Sequence, residues 1–124
     1  MKADLKYVVA GEALRKCRHI FHEGIADPEG LANSLYSENI IHRETLDEVE
    51  LNNTTRKKNL ILLDAVESRL RANPSDFSKF SAVLRSDPHL CVFADILEKH
   101  HSEIILKQVI NRSLHACYII LLYI

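Results

Sequence analysis

The stretch that decides the fold reads NPSDFSKFSAVLRSDPHLCVFADIL and spans residues 73–97. It contains Asn73-Pro74 and Asp87-Pro88, and a third pair of the same kind, Asp27-Pro28, lies upstream. Proline is tolerated at the first helical position, where its missing N–H would have no partner inside the helix. The Asp or Asn before it can accept a hydrogen bond from a free N–H of the first turn. The three pairs therefore predict helices that begin at residues 28, 74 and 88.

Apolar side chains recur at spacings of three and four along most of the chain, which marks one face of a helix. These stripes are Leu14, Cys17 and Phe21; Leu31 and Leu35; Leu46 and Val49; Leu60, Leu63, Val66 and Leu70; Phe77, Phe80 and Leu84; and Leu90, Phe93, Ala94 and Leu97. They predict six helices, joined by short connections that favour antiparallel neighbours. We expect Gly24 to end the first helix. The fourth, which contains Leu60-Ile61-Leu62-Leu63, should be the central one because it is apolar on more than one side.

Composition favours a single all-α domain. A chain of 124 residues has room for one domain and little else. Leu, Ile, Val and Phe make up about a third of it, which is enough for a core and well above the level typical of disorder. Glycine and proline number only three each, whereas all-β folds need many turns.

Charge and cysteine usage restrict the partners and the compartment. The formal net charge is −1, so no overall field favours nucleic acid or an anionic membrane. Cys17, Cys91 and Cys117 are an odd number without C-x-x-C spacing, which argues against a disulfide framework. The first residues contain no apolar run long enough for a signal peptide. We therefore expect a reducing, cytoplasmic setting.

The tail from residue 102 onward differs from the rest of the chain, so we divide the chain into 1–101 and 102–124. Its apolar run, residues 117–124, is far shorter than the ~20 residues that a membrane span needs. Extending the run back to Ile104 adds polar residues that are costly in lipid, namely Lys107, Gln108, Asn111 and Arg112. The favoured interpretation is an apolar, helical addition docked on the bundle. Two alternatives stay open. The tail could be a truncated piece of a longer protein, or it could contact a membrane, which we do not expect.

Five segments of the chain resemble caspase recruitment domains of the death-fold superfamily, in order and spacing, over roughly residues 11–99. They are Leu31–Ile41, similar to the second helix of the family and the turn after it; Leu46–Val49, similar to the third helix; Leu62–Val66, similar to the fourth; Phe77–Phe80 with Leu84-Arg85, similar to the fifth; and Leu90–Leu97, similar to the sixth. The resemblance implies a six-helix antiparallel bundle of the death-fold type. It also implies an adaptor module for homotypic assembly in apoptotic or immune signalling.

Charged residues are segregated along the chain. Residues 27–50 hold seven acids against one base, and residues 54–72 hold five bases against two acids. If the first and fourth helices lie side by side, their bases can form one face, and the second and third helices then carry an acidic face. By its resemblance to the family, the chain has a basic partner-binding face of Arg15, Arg18, Arg56 and Lys57, and an acidic one of Asp27, Glu29, Asp47 and Glu48. Opposite faces of this kind allow head-to-tail assembly. The alternative is that the charges merely solvate exposed surfaces.

Other classes of function have weaker support. Cys17 and His19 would point about 200° apart on a helix, so the sequence predicts no metal site; we also expect no cofactor and no catalytic residues. The expected partner is another death-fold domain, homotypic or heterotypic, with self-oligomerisation included. The alternative function is a small helical nucleic-acid-binding domain that sets the basic start of the fourth helix, residues 54–58, on phosphates.

Overall fold

Six helices follow one another in the computed structural model of the protein, which describes the backbone of residues 2–122 and the side chains of residues 9–118 and 120–122. The helices are α1 (Lys2–Gly24), α2 (Pro28–Ser37), α3 (Arg43–Leu51), α4 (Thr55–Ala72), α5 (Asp76–Arg85) and α6 (Cys91–Leu122). No strand occurs among the described residues. The predicted all-α, six-helix fold is confirmed.

The first of the three proline signals works as predicted. Pro28 is the first residue of α2, and the Asp27 carboxylate accepts a hydrogen bond from the Gly30 N–H at 3.1 Å. The carboxylate thus satisfies one of the N–H groups that have no partner inside the helix.

The other two helices begin later than residues 74 and 88, so those two predicted starts are wrong. Asn73 cannot open α5 because it closes α4, where its N–H donates to the Arg69 carbonyl at 2.7 Å. Pro74 then lies in a tight turn before α5. Pro88 lies in a similar turn, in which the Asp87 carbonyl accepts from the N–H of Cys91 at 3.0 Å. At both sites proline initiates a turn that leads into the helix.

A left-handed residue ends α2. Asn39 has φ 59°, and the following Ile40 N–H donates to the Leu35 carbonyl at 2.9 Å. Asparagine tolerates this conformation better than most residues, and the hydrogen bond satisfies a carbonyl at the helix end. The turn directs the chain from α2 towards α3.

The core is a single cluster to which all six helices contribute. The Phe21 ring lies at its centre, with its centroid 5.0 Å from that of Phe93 and 6.4 Å from that of Phe80. The end of α1 packs closely on α6, since a Cβ atom on Gly24 would lie 2.5 Å from the Phe93 ring. This close approach explains a glycine at the predicted end of α1.

Helix α4 is the central element, as predicted, because it packs against α1, α2, α3 and α5. Helices α1 and α4 lie side by side and antiparallel. The Asn59 side chain near the start of α4 donates to the carbonyls of His22 and Ile25 at the end of α1, whereas Arg71 near the end of α4 lies against Gly11. Leu62, not Leu60, continues the buried stripe of α4.

The C-terminal tail is helical but is not a separate helix docked on the bundle, so that favoured interpretation is wrong. Helix α6 continues without a break through residues 101 and 102 to Leu122. Among the side chains of α6 that the structure describes, Ile104 is the last buried one, and those after it are exposed except for Gln108, which is half-buried. By length and composition alone, α6 could also cross a membrane.

Candidate functional site

Two basic residues lie in the first turn of α4, where the positive end of the helix dipole is unfavourable for positive charge. Thr54 caps this helix by accepting a hydrogen bond from the Lys57 N–H at 3.2 Å. Arg56 and Lys57 follow the cap, and both are exposed. Neither forms an ion pair with a residue whose side chain the structure describes. A cation near a helix N-terminus is destabilising by roughly 0.3–1 kcal/mol, so local stability does not explain these two residues.

An exposed leucine lies between the two bases on the same side of α4. Leu60 follows Arg56 by four residues and Lys57 by three, which places the three side chains on neighbouring positions of the helix surface. Leu60 is 45% exposed. The apolar spacing predicted that Leu60 shares one helix face with Leu63, Val66 and Leu70, but only the last three are buried. A signal was nevertheless present, because four apolar residues in a row, 60–63, cannot all face one side of a helix.

The two basic residues predicted on α1 differ in their surroundings. Arg18 is largely covered, and its guanidinium bridges Asp64 and Glu67 of α4, with 3.4 Å between its Nη1 and the Glu67 Oε1. Arg15 is exposed and lies 4.0 Å from the Glu12 carboxylate. Arg18 therefore joins α1 to α4, whereas Arg15 faces solvent.

The structure does not bring Arg15 next to Arg56. Asn59 meets the end of α1, so on antiparallel helices Arg15 and Arg56 lie on opposite sides of that contact. With a rise of 1.5 Å per residue, the two are separated along the bundle by on the order of 15–20 Å. Arg56 and Lys57 thus form a compact pair, and Arg15 lies well apart from it.

The acidic residues predicted on α2 have structural partners. Asp27 caps α2, and Glu29 in the first turn pairs with Lys58 of α4. Both carboxylates also lie where the helix dipole favours negative charge. Their identity is thus partly explained by the stability of α2 and by its attachment to α4.

The acidic residues predicted on α3 are more open. Asp47 and Glu48 are both exposed. Asp47 forms a weak ion pair, at 3.3 Å, with Arg43, which lies one helical turn earlier. Glu48 has no ion pair within the described part of the chain. Arg43 also lies over the Tyr36 ring, 5.9 Å from its centroid. The neighbouring side chains of Tyr36 and Asp47 raise the pKa of Arg43. This Tyr36–Arg43–Asp47 cluster was not predicted from the sequence.

Cys17 does not form a reactive site. All three cysteines are free thiols, and Cys17 is buried, where its thiol donates to the Ala13 carbonyl at 3.2 Å. Burial raises the pKa of Cys17 to about 11, so at neutral pH it is a thiol and not a nucleophilic thiolate. Among the residues that the structure describes, no group of three or more His, Cys, Asp or Glu side chains could hold a metal ion.

Comparison with known protein families agrees with this architecture. The family described as "Caspase recruitment domain" matches residues 11–91, which is more than half of the chain. No curated protein and no solved structure matches the chain. The matched range contains four complete helices, α2 to α5, together with most of α1, and it ends where α6 begins. The chain belongs to the caspase recruitment domain family of the death-fold superfamily, which consists of helical modules for homotypic protein–protein interaction in apoptotic and inflammatory signalling.

Proposed function

We propose that the protein is an adaptor that binds a similar death-fold domain, including a second copy of itself, through opposite charged faces. The basic face is centred on Arg56 and Lys57, and the acidic face on Asp47 and Glu48. One observation carries the proposal: the first turn of α4 holds two exposed bases that oppose the helix dipole and have no ion pair in the described part of the chain. An external acidic partner would compensate for that local cost.

Leu60 makes the basic face suitable for protein binding. Interfaces commonly combine an apolar centre, which loses water on binding, with a polar rim. Leu60 would supply the apolar centre, and the bases beside it would supply the rim. Complementary charge mainly accelerates encounter and sets register, while the apolar contact adds affinity.

The other predicted residues take secondary roles in the proposal. Arg15 is exposed and extends the basic side of the molecule along α1. Arg18 and Glu29 already have partners within the chain, so a binding partner would have to compete for them. Asp27 lies at the edge of the acidic side but also caps α2.

The free thiols support a reducing compartment, and we propose the cytoplasm. Cys91 and Cys117 are exposed, so in an oxidising setting they could form intermolecular disulfides. We assign no cofactor to this function, because the proposed contact uses only side chains of the two proteins.

The test is reversal of charge at the basic face. We expect Arg56→Glu/Lys57→Glu to abolish self-association or partner capture, measured by light scattering across concentration and salt, while circular dichroism and Tm stay unchanged or rise. Lys79→Glu/Lys99→Glu is the matched control, since it changes the net charge equally at two exposed lysines on α5 and α6. Equal association of both variants and the unmodified chain would disprove the assignment.

A duplex DNA titration at two salt concentrations distinguishes the alternative function. Binding to phosphates becomes steeply weaker as salt rises. Micromolar DNA affinity that depends on Arg56 and Lys57, in a chain that neither self-associates nor captures a death-fold partner, would replace the proposed function with nucleic-acid binding.

A further inference from the structure

The final part of α6, residues 105–122, projects beyond the buried core of the bundle. We call it the α6 extension. Ile104 is the last buried side chain before it, and the extension holds a concentration of large exposed apolar residues. These are Ile105, Leu106, Val109, Ile110, Leu114, Tyr118, Ile120, Leu121 and Leu122. Exposed apolar surface of this extent marks an interaction site in soluble proteins.

Helical geometry sorts the residues of the extension onto two sides. At 3.6 residues per turn, one half of the helix surface is apolar apart from Ser113, and it carries Ile105, Leu106, Val109, Ile110, Leu114, Ala116, Cys117, Ile120 and Leu121. The other half carries the polar residues up to residue 115, namely Lys107, Gln108, Asn111, Arg112 and His115. Beyond His115, Tyr118 and Leu122 replace this polar side by apolar residues. The extension is therefore amphipathic and becomes apolar all round at its far end.

Most of the apolar half points away from the bundle. A groove of about 620 Å³ separates the start of the extension from α1 and from the turn before α5. The extension residues that line this groove are Ile105, Gln108, Val109 and Arg112. Leu106, Ile110 and Leu114 do not line it, so the surface centred on them is open to an external partner.

The charges of the extension favour one kind of partner. Between Ile104 and Leu122 there are two bases, Lys107 and Arg112, and no acid. A pair of identical helices would bring these bases together without acidic side chains to balance them. A two-stranded coiled coil also needs only a narrow apolar stripe, whereas half of this helix surface is apolar. A membrane crossing would bury Lys107 and Arg112 in hydrocarbon. A helix that lies along an anionic lipid surface avoids both problems, since its apolar half enters the bilayer and its bases stay at the headgroups.

We infer that the α6 extension binds flat on membranes that contain anionic lipids. Lys107, Gln108, Asn111 and Arg112 would be costly for a helix that crosses the membrane, but a helix lying in the interface keeps them at the headgroups. Glu103 is exposed two residues before the extension, and the far end is apolar on all sides. Insertion is therefore shallow near Leu106 and deeper near Leu121.

Vesicle binding of the full 124-residue chain tests this inference. The chain contains no tryptophan, so Leu121→Trp introduces a single fluorescent reporter on the apolar half, at the end that should insert. With vesicles of phosphatidylcholine and phosphatidylserine we expect co-sedimentation and a blue shift of the tryptophan emission. With phosphatidylcholine alone, and for Lys107→Glu/Arg112→Glu with mixed vesicles, binding should be at least about ten-fold weaker, since each base contributes about 1 kcal/mol near an anionic surface.

Two matched variants test the orientation of the helix. Ile110→Ser/Leu114→Ser alters the apolar half, and Asn111→Ser/His115→Ser alters the polar half at the same spacing. All four residues are exposed, so neither variant should change Tm appreciably. The inference requires that only the first variant loses vesicle binding.

Three results would overturn the inference. The first is absence of vesicle binding, and the second is equal binding to both kinds of vesicle. The third is lipid-free self-association that persists in Arg56→Glu/Lys57→Glu but disappears in Ile110→Ser/Leu114→Ser, which would assign the apolar surface to a second copy of the chain.

Discussion

Lys57 occupies the position at which a helix capped by threonine often carries glutamate. In the capping box, a Glu three residues after the cap returns a hydrogen bond to the backbone N–H of the capping residue. Here Thr54 caps α4 and Lys57 stands at that third position. The glutamate that would best stabilise α4 is therefore absent at this position, which lies in the surface that we propose binds the partner.

Replacing this lysine separates stability from binding. Lys57→Glu should complete the capping box, remove an unfavourable charge and raise the free energy of unfolding by roughly 0.5–1 kcal/mol, while it weakens partner binding. Urea unfolding measures the first effect and light scattering the second. A less stable protein would mean that Lys57 has a structural role, and undiminished association would remove it from the binding face.

Asn59 shows the opposite situation, a polar residue retained for structure. It is 1% exposed, and its amide donates to the carbonyls of His22 at 3.1 Å and Ile25 at 2.9 Å. Carbonyls at the end of a helix have no partner inside the helix, so Asn59 satisfies two such groups at the end of α1.

Removing the Asn59 amide should be costly. We expect Asn59→Leu, which is similar in size, to lower the free energy of unfolding by about 2–3 kcal/mol, because one buried and one partly buried carbonyl lose their donor. Asn33→Leu is the control: its amide also donates to a backbone carbonyl, that of Glu29 at 2.9 Å, but it is exposed and water can replace it. If chemical denaturation shows that both variants lose the same free energy of unfolding, the burial of the Asn59 amide does not contribute to stability.

At the scale of the helix, α6 serves two different parts of the molecule. Its first half supplies Phe93, Ala94 and Leu97 to the core, and its second half carries exposed side chains after Ile104. The same helix can thus hold the bundle together at one end and bind an external surface at the other.

Truncation should reveal this division. A chain ending at residue 108 keeps Ile104 and should unfold within roughly 0.5 kcal/mol of the full protein, because every lost side chain that the structure describes is exposed. A chain ending at residue 95 lacks Leu97, which is 0% exposed, and should not fold. Thermal unfolding followed by circular dichroism tests both. Loss of folding in the longer truncation would show that the α6 extension supports the bundle.

The elements that could be predicted from sequence are those determined by local chemistry. Apolar spacing indicated the six helices, and Asp27-Pro28 located the start of α2 because its cap depends on neighbouring residues only. The starts of α5 and α6 were misplaced, because a proline can initiate a turn as well as a helix and only the tertiary path distinguishes the two. The exposure of Leu60 and the burial of Arg18 between α1 and α4 depend on packing between distant segments, which spacing alone does not contain.

At the scale of the whole molecule, the proposed faces lie on different elements, the basic one at the start of α4 and the acidic one on α3. If each molecule offers one basic and one acidic face, association is head to tail and does not stop at a pair unless the geometry closes a ring. A variant with one neutral face should then act as an end piece, because its remaining face still binds.

Mixing two such variants gives a clear test of head-to-tail assembly. Arg56→Gln/Lys57→Gln retains the acidic face, and Asp47→Asn/Glu48→Gln retains the basic face, so neither should self-associate. Mixed in equal amounts they should form a 1:1 complex and nothing larger, whereas the unmodified chain forms higher assemblies. Neutral substitutions are needed because reversed charges could attract each other and create a new contact. Sedimentation velocity distinguishes the outcomes: a mixture that stays monomeric would show that these two faces do not bind each other, and large assemblies in the mixture would show that other surfaces drive association.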